Sequence, residues 1–323
     1  MSRVLITGGA GFIGTNLVEH YRTRGEQVTN LDIAPPRNPG HAGLWRKTDM
    51  LDRGALLHAV ANADPEIVFH MAARTDLLGK SILDYRANTE GVANLIHALR
   101  PARRLRVTVF ASSMLVCRVG YQPNSELDYC PSTAYGESKV SGEKMVRDLV
   151  GYGFPWGIVR PTSIWGPWFG APYHDFFTAV QRGLYVHPRG RRILHSYGFV
   201  LNNVAQLDRM ASAGGGALIG RTVYLADYKP IELKHWADTI RQALGASPVQ
   251  EVPLWVLRLA AKAGDALQRV GYAKPPMSSF RLNKLLTEML HDTTALYEAC
   301  GDTPYSMEHG VNMTLDWLRR EAA

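Results

Sequence analysis

Apolar and polar positions along the first half of the chain fall into two alternating rhythms. Short segments at 3–7, 27–31, 44–47, 67–70, 107–111 and 156–160, most of them carrying β-branched residues, read as strands. Stretches with helical apolar spacing lie between them, near 11–24, 53–61, 81–99 and 134–150. Alternation of this kind predicts an α/β fold, a Rossmann-type doubly wound parallel sheet with helices on both faces. Continuously apolar strands such as Val107-Thr108-Val109-Phe110 suit a sheet covered on both sides. Residues 34–43, rich in Pro and Gly, read as a surface loop. After Pro161 the pattern changes. Trp, Tyr, His, Pro and Gly crowd 165–200, and helical spacing resumes at 231–244, 253–270 and 279–290. The expected organisation is a Rossmann domain over 1–165 and a smaller, mainly helical C-terminal substrate lobe over 166–323. Part of 198–228, with the strand-like run 222–225, is expected to return to the main sheet.

The first strand runs into Thr7-Gly8-Gly9-Ala10-Gly11-Phe12-Ile13-Gly14, which opens the first helix. Glycine lacks a Cβ, so Gly8 suits a tight turn and Gly11 lets a pyrophosphate approach the backbone. Gly14 lets the helix pack closely on the strand. Free N–H groups at the helix start then face the phosphates. The second strand ends beside Asp32, where a carboxylate accepts hydrogen bonds from the adenine-ribose hydroxyls. A glycine triplet alone is weak, but strand, turn, helix and acid together imply a bound dinucleotide. Asp32 would repel a 2′-phosphate, so NAD is expected over NADP; Arg37 in the adjacent loop is the feature that favours NADP.

Composition narrows the setting. Hydrophobic content of 46% and charged content of 20% are those of a soluble globular enzyme. No apolar run is long enough to span a bilayer, and the chain starts directly on a strand, so a cytoplasmic protein without a signal peptide is expected. Cys117, Cys130 and Cys300 have no metal-like spacing, which predicts neither a metal site nor a disulfide framework. The net charge of +7 is scattered apart from residues 100–106 and 189–192, so nucleic acid is not expected as a partner. A small anionic substrate needs only local positive charge.

The second chemical signal is Tyr135-Gly136-Glu137-Ser138-Lys139. On a helix, Tyr135 and Lys139 share one face, and an ammonium beside a phenol stabilises the phenolate, which makes Tyr135 a general base or acid towards a substrate hydroxyl. Alone, the pair fits a solvated helix face equally well. Ser112-Ser113 at the carboxyl end of the fifth strand decides between the two readings. Ligands of open α/β sheets bind beyond such ends, and a Ser113 hydroxyl there would hold a substrate oxygen near Tyr135.

These motifs together resemble the extended short-chain dehydrogenase/reductase superfamily, in its NAD-dependent sugar-nucleotide epimerase/dehydratase branch. The resemblance spans nearly the whole chain. It is carried by 7–14, Asp32, Asp49-Met50, His70-Met71-Ala72-Ala73, Asn88-Thr89-Glu90-Gly91, Ser112-Ser113, 135–139 and 160–167, and by the tail from Asp292 through Gly310 to Trp317. It implies that Ser113, Tyr135 and Lys139 are the catalytic triad. Gly8, Gly11, Phe12, Ile13, Gly14 and Asp32 would then hold the cofactor. So would Asp49 and Met50 beside adenine, Met71, Ala72 and Ala73 along its wall, and Asn88, Ala111, Ser112, Pro161, Ser163 and Ile164 towards the nicotinamide. It also implies a homodimer formed through a four-helix bundle of the helices bearing Asn88 and Tyr135. The activity implied is epimerisation of a nucleotide sugar through a transient keto intermediate, at C4; the same triad serves a net dehydrogenase of a keto-sugar or another secondary alcohol.

Several positions depart from the family pattern. Met114-Leu115 stand where 4,6-dehydratases carry an Asp-Glu pair and cannot transfer a proton, so a dehydratase of that kind is not expected. Cys117 stands where relatives often carry Tyr and reads as a packing residue. Ser163 replaces a sugar-nucleotide-contacting Asn, Ser196 a phosphate-gripping Arg, and Asn202-Asn203 an Asp pair. Arg191, Arg192 and His195 are the nearby candidates for the anionic end of the substrate. Arg191 and Arg192 fit a solvated turn equally well. Arg74 and Thr75, with Met114 and Thr162, are candidate substrate contacts, and Arg74-Thr75-Asp76 is also readable as a loop with a helix cap. Trp165 and Trp168 either flank a sugar or base or pack the lobe.

Overall fold

The computed structural model describes residues 1–148, 153–171, 173–212, 219–272 and 277–321. The N-terminal part alternates β1 (Arg3–Thr7), α1 (Phe12–Thr23), β2 (Gln27–Asp32), β3 (Trp45–Lys47), α2 (Arg53–Ala63), β4 (Ile67–His70), α3 (Arg86–Leu99), β5 (Val107–Ala111), α4 (Ala134–Arg147) and β6 (Trp156–Pro161). The C-terminal part contributes β7 (Ser163–Trp165), α5 (Tyr173–Gln181), β8 (His187–Pro188), β9 (Leu194–His195), β10 (Tyr197–Phe199), α6 (Val200–Ser212) and β11 (Thr222–Leu225). It ends with β12 (Ile231–Glu232), α7 (Leu233–Ala243), β13 (Glu251–Val252), α8 (Leu254–Arg269), α9 (Ser279–Leu286), α10 (Thr294–Cys300) and α11 (Met307–Glu321).

Seven strands form one sheet in the order β11-β6-β5-β4-β1-β2-β3, with every pairing parallel. Side chains alternate between faces. Val4 and Ile6 of β1 enter one core with Leu17 and Val18 of α1 and Val204 and Leu207 of α6. Leu5 enters the other with Leu56 of α2, Leu95 of α3 and Val146 of α4. Both faces are therefore covered, as the apolar strands require. The strand at 222–225 does return to the sheet, beside β6. So does α6, and α10 joins the same core through Leu296 and Cys300. The second lobe closes over an aromatic core in which the Trp165 ring lies 4.9 Å from Phe199, 5.2 Å from Trp236 and 5.8 Å from Phe177.

Local differences from the sequence expectation have physical causes. The segment 81–99 opens as a tight 3-10 turn, Ile82–Tyr85, capped by a reciprocal Ser81–Asp84 box, before α3 begins. The helix expected to 290 stops at Leu286, because Met289 leaves it to bond with Leu194 and Ser196. The expected helix 134–150 is seen as Ala134–Arg147; its last two residues lie outside the described residues. α6 escapes a periodicity reading because Asn202, Asn203 and Gln206 interrupt its buried face.

Candidate active site

The glycine turn after β1 is set by contact distances. Gly8 has φ +75°, and a Cβ there would lie 2.5 Å from the Ala72 nitrogen. A Cβ on Gly14 would lie 2.1 Å from the Gly8 carbonyl oxygen, so α1 rests directly on the turn. Gly11, by contrast, meets only the Gly8 oxygen at 3.1 Å. It is the N-cap of α1, makes no side-chain cap bond, and no acid occupies the first turn, which carries Phe12 and Ile13. An uncapped helix start beside an open glycine fits a pyrophosphate. Asp32 at the end of β2 accepts hydrogen bonds from the Ala10 nitrogen at 2.9 Å and the Ala34 nitrogen at 3.0 Å, which fixes its carboxylate at the rim. Arg37 donates to the Trp168 carbonyl at 2.8 Å. Met71, Ala72 and Ala73 follow β4 as a half-buried wall, with the Met71 nitrogen bonded to Thr7 at 3.0 Å. Asp49 is exposed and accepts from the Leu51 nitrogen, whereas Met50 is buried and would touch a Cβ on Gly91. The residues present therefore fit a dinucleotide along the carboxyl ends of β1, β2 and β4.

Ser112 and Ser113 leave the carboxyl end of β5, both buried. The Ser112 nitrogen bonds to Val159 of β6 at 2.7 Å, and Ser113 Oγ accepts from the Leu115 nitrogen at 3.1 Å. α4 starts against this turn. Thr133 caps it through the Gly136 nitrogen, and a Cβ on Gly136 would lie 2.2 Å from the Leu115 oxygen. Only glycine between Tyr135 and Glu137 lets the helix approach this closely. Tyr135 is consequently buried beside Ser113, with the Tyr85 ring 5.8 Å from its own. Lys139, one turn on, is buried and donates to the Ala111 carbonyl at 2.9 Å.

Burial pushes the Tyr135 phenol up, and a hydrogen bond with Ser113 opposes that. Lys139 is itself pulled down to about 8 by burial, with Glu143 opposing. His70, at the end of β4, is held down at about 3 by burial and by the Lys139 charge.

A buried ion pair that sequence reasoning missed lies beside Ser112. Glu143 continues the Tyr135–Lys139 stripe by another helical turn, and that spacing was the signal that would have found it. It meets Arg160 in a two-pronged pair, Nε to Oε1 and Nη2 to Oε2, both at 2.9 Å. Its remaining lone pairs accept from Ser112 Oγ at 2.6 Å and Tyr129 at 2.9 Å. Asn88 plays a comparable part. Its amide bonds the Arg74 backbone in both directions and donates to Ser138 Oγ at 2.9 Å, tying α3, α4 and the loop after β4 together.

The remaining predicted positions divide between core and surface. Pro161, the last residue of β6, and Thr162, just beyond it, are half-buried, with Thr162 Oγ1 bonded to Leu225 at 3.1 Å, while Ser163 and Ile164 are buried in β7. Met114 joins the lobe's aromatic core. Arg74 and Thr75 are exposed, and Arg74 pairs with Asp76 at 2.7 Å over the Tyr85 ring. Arg191 and Arg192 are exposed, and Arg192 faces Glu232 at 3.7 Å. His195 is buried on Tyr197 at 2.7 Å, and Asn202 serves Asp227 and Tyr305 inside the lobe. Cys117 packs with Val116 and Val140, its thiol pushed up by burial, and all three cysteines are free. Trp165 is core, and Trp168 is half-buried at positive φ against Trp317. Among the described residues, no cluster of side chains suits a metal ion.

The model of the NAD-dependent epimerase/dehydratase family matches residues 4–185. The chain belongs to that family. A 3-beta-hydroxysteroid dehydrogenase from Mycolicibacterium neoaurum is 30% identical over 262 residues, 76% of this chain and 71% of the relative. An N-acetyl-alpha-D-glucosaminyl-diphospho-ditrans,octacis-undecaprenol 4-epimerase from Escherichia coli O157:H7 is 23% identical over 97% of this chain and 94% of its own. The fold matches the crystal structure of UDP-glucose 4-epimerase with UDP-glucose from Thermotoga maritima at TM-score 0.75, with 20% identity and 99% of each chain covered. A UDP-glucose 4-epimerase from Thermus thermophilus, in complex with NAD, gives TM-score 0.71, with 21% identity over 98% of this chain and 99% of that one. Family membership makes the chain an NAD-dependent epimerase or dehydrogenase.

Proposed function

We propose that this chain is an NAD-dependent epimerase of a diphosphate-linked sugar, the nucleotide-linked form being the first to test, acting at C4 through a transient keto intermediate. The observation that carries it is that buried Ser113 and Tyr135, at the carboxyl end of β5, and the open glycine turn, at that of β1, lie on the same edge of the parallel sheet with β4 between them. Bound NAD would supply a hydride acceptor that can return what it takes, so no external redox partner is needed. Tyr135 takes the proton of the reacting hydroxyl and gives it back; Ser113 holds the oxygen in line. Lys139 is held by the Ala111 carbonyl at the same strand end, where its buried charge favours the phenolate once substrate engages. NAD is favoured over NADP by the Asp32 carboxylate at the rim and by the commitment of Arg37 to Trp168.

Incubation of purified protein with UDP-, GDP-, CDP- and dTDP-sugars and with a polyprenyl-diphosphate sugar tests the reading. Interconversion of hydroxyl epimers without net change at the reduced-nicotinamide absorbance is expected. A second reading is net dehydrogenation of an apolar secondary alcohol. Its support is the steroid dehydrogenase likeness and a small pocket at the residues that follow Ser113, where the apolar Met114, Leu115, Met289 and Leu290 meet alongside Arg118, Gln122 and His291. Stoichiometric appearance of reduced cofactor would establish it over the first. The expected homodimer through the outer faces of α3 and α4 is part of the same proposal, and light scattering measures it.

A further inference from the structure

α8 is amphipathic in an unusual sense. Leu257, Ala261 and Gly264 form its buried stripe and pack with Leu282 of α9. The opposite side should be polar on a soluble protein. Instead Trp255 is 63% exposed, Leu259 58% and Val270, just past the helix end, 80%. With 3.6 residues per turn, these three fall on one solvent-facing strip together with Ala266. Phe280, at the start of the neighbouring α9, is 77% exposed. Trp255 and Leu259 also rim a groove of about 460 Å³ between the two helices.

Charge borders this apolar strip on one side. Arg258, Lys262 and Arg269 occupy the adjoining sector of α8, and Lys284 stands on α9. Among the described residues neither Arg258 nor Lys262 forms an ion pair, and both line the groove. The acid on this stretch of α8, Asp265, is turned to Ser279, whose nitrogen it accepts at 2.9 Å. An apolar strip with an exposed tryptophan, flanked by unneutralised cations, is the pattern of a helix that lies in a lipid interface. No described helix is long and apolar enough to cross a membrane, so the contact is with a bilayer surface. A second protein copy is disfavoured by the same observation, because self-pairing would stack the Arg258–Lys262 sector on like charge.

We propose that α8 and the start of α9 dock this chain on an anionic phospholipid bilayer. The docking surface connects to the chemistry. From α9 the chain runs straight to Met289, Leu290 and His291, which share a small pocket with Met114 and Leu115, the residues after Ser113. Taken with the hydroxyl-oxidising reading above, on which this step rests, the bilayer would present a lipid-carried sugar diphosphate rather than a soluble nucleotide sugar.

Vesicle flotation of the full chain, without substrate, tests the docking by itself. The probes are phosphatidylcholine vesicles and phosphatidylcholine vesicles with one-third phosphatidylglycerol. The wild type should float with the anionic vesicles and be released by high salt. At roughly fivefold per lost basic residue, the double variant Arg258→Gln/Lys262→Gln should partition at least tenfold less. Trp255→Ser/Leu259→Ser should lose flotation while retaining NAD-induced thermal stabilisation, which shows that it is folded. Wild type that stays soluble with both vesicles, or variants that float equally, would overturn the proposal. Concentration-dependent self-association abolished by Trp255→Ser/Leu259→Ser, with no flotation, would replace it by a second copy. Flotation together with failure to turn over any sugar would sink the epimerase reading and leave the docking standing.

Discussion

At the scale of single residues, the proposed triad of Ser113, Tyr135 and Lys139 sits beside other buried polar groups, Glu143 and Arg160 among them. On the proposed mechanism Tyr135→Phe removes the side chain that carries the hydroxyl proton, so turnover should fall by roughly 10²–10⁴-fold while NAD binding is unchanged. Unchanged turnover in a steady-state assay would remove Tyr135 from its role. Glu143 is different. Its carboxylate neutralises a guanidinium that is 1% exposed and also fixes the Ser112 hydroxyl. Glu143→Ala leaves that cation buried and unpaired, which costs about 3–5 kcal/mol. Chemical denaturation should show this loss directly. Glu143→Gln keeps the shape and the acceptor on one side only, and should fall between the two.

At the scale of elements, the parts that read correctly from sequence are those whose rhythm and chemistry agree. β1, the glycine turn and α1 are legible together because a β-branched run, three spaced glycines and an apolar helix stripe all point to one structure. Gly14→Ala tests the tightest of these contacts. Its Cβ would sit 2.1 Å from a backbone oxygen that has nowhere to move. The turn must shift, so NAD affinity measured by calorimetry should drop at least tenfold, with a stability loss of about 1–3 kcal/mol. The return of the strand at 222–225 was legible from its β-branched sequence, but α6 was not, since buried Asn202, Asn203 and Gln206 carry hydrogen bonds where a periodicity count looks for apolar side chains. The site followed the same division. Ser113, Tyr135 and Lys139 stand out as a local pattern, whereas the Arg160–Glu143 pair joins residues from β6 and α4 and becomes visible only when the sheet brings them together. The direction of the Tyr135 shift was also beyond reach, because desolvation depends on what the fold stacks around the ring.

At the scale of the whole molecule, buried histidines set how the fold responds to acid. His70 is held at about 3, and His195 and His291 at about 4, in each case chiefly by burial. The unfolded chain binds protons at these rings near pH 6.5, the folded chain only well below it. Between those values the unfolded state holds more protons at these rings, so the histidines' contribution to stability is intact above about pH 6.5 and is lost as pH is lowered towards 4. His291 isolates one share of this effect. Its ring stacks on Tyr224 at 4.3 Å, and neither ring nitrogen has a partner. Phe at this position keeps the stacking and cannot take a proton. His291→Phe should therefore match the wild type within about 1 kcal/mol at pH 7 and exceed it by roughly 1–2 kcal/mol at pH 5, where the wild-type ring is still held neutral against its unfolded preference. Urea unfolding at the two pH values measures the difference. Parallel losses in both proteins would show that His70, His195 and the carboxylates account for the acid response without His291. A flatter profile in the variant would place part of the acid sensitivity at the junction of β11 with the segment that leads from α9 back to the site.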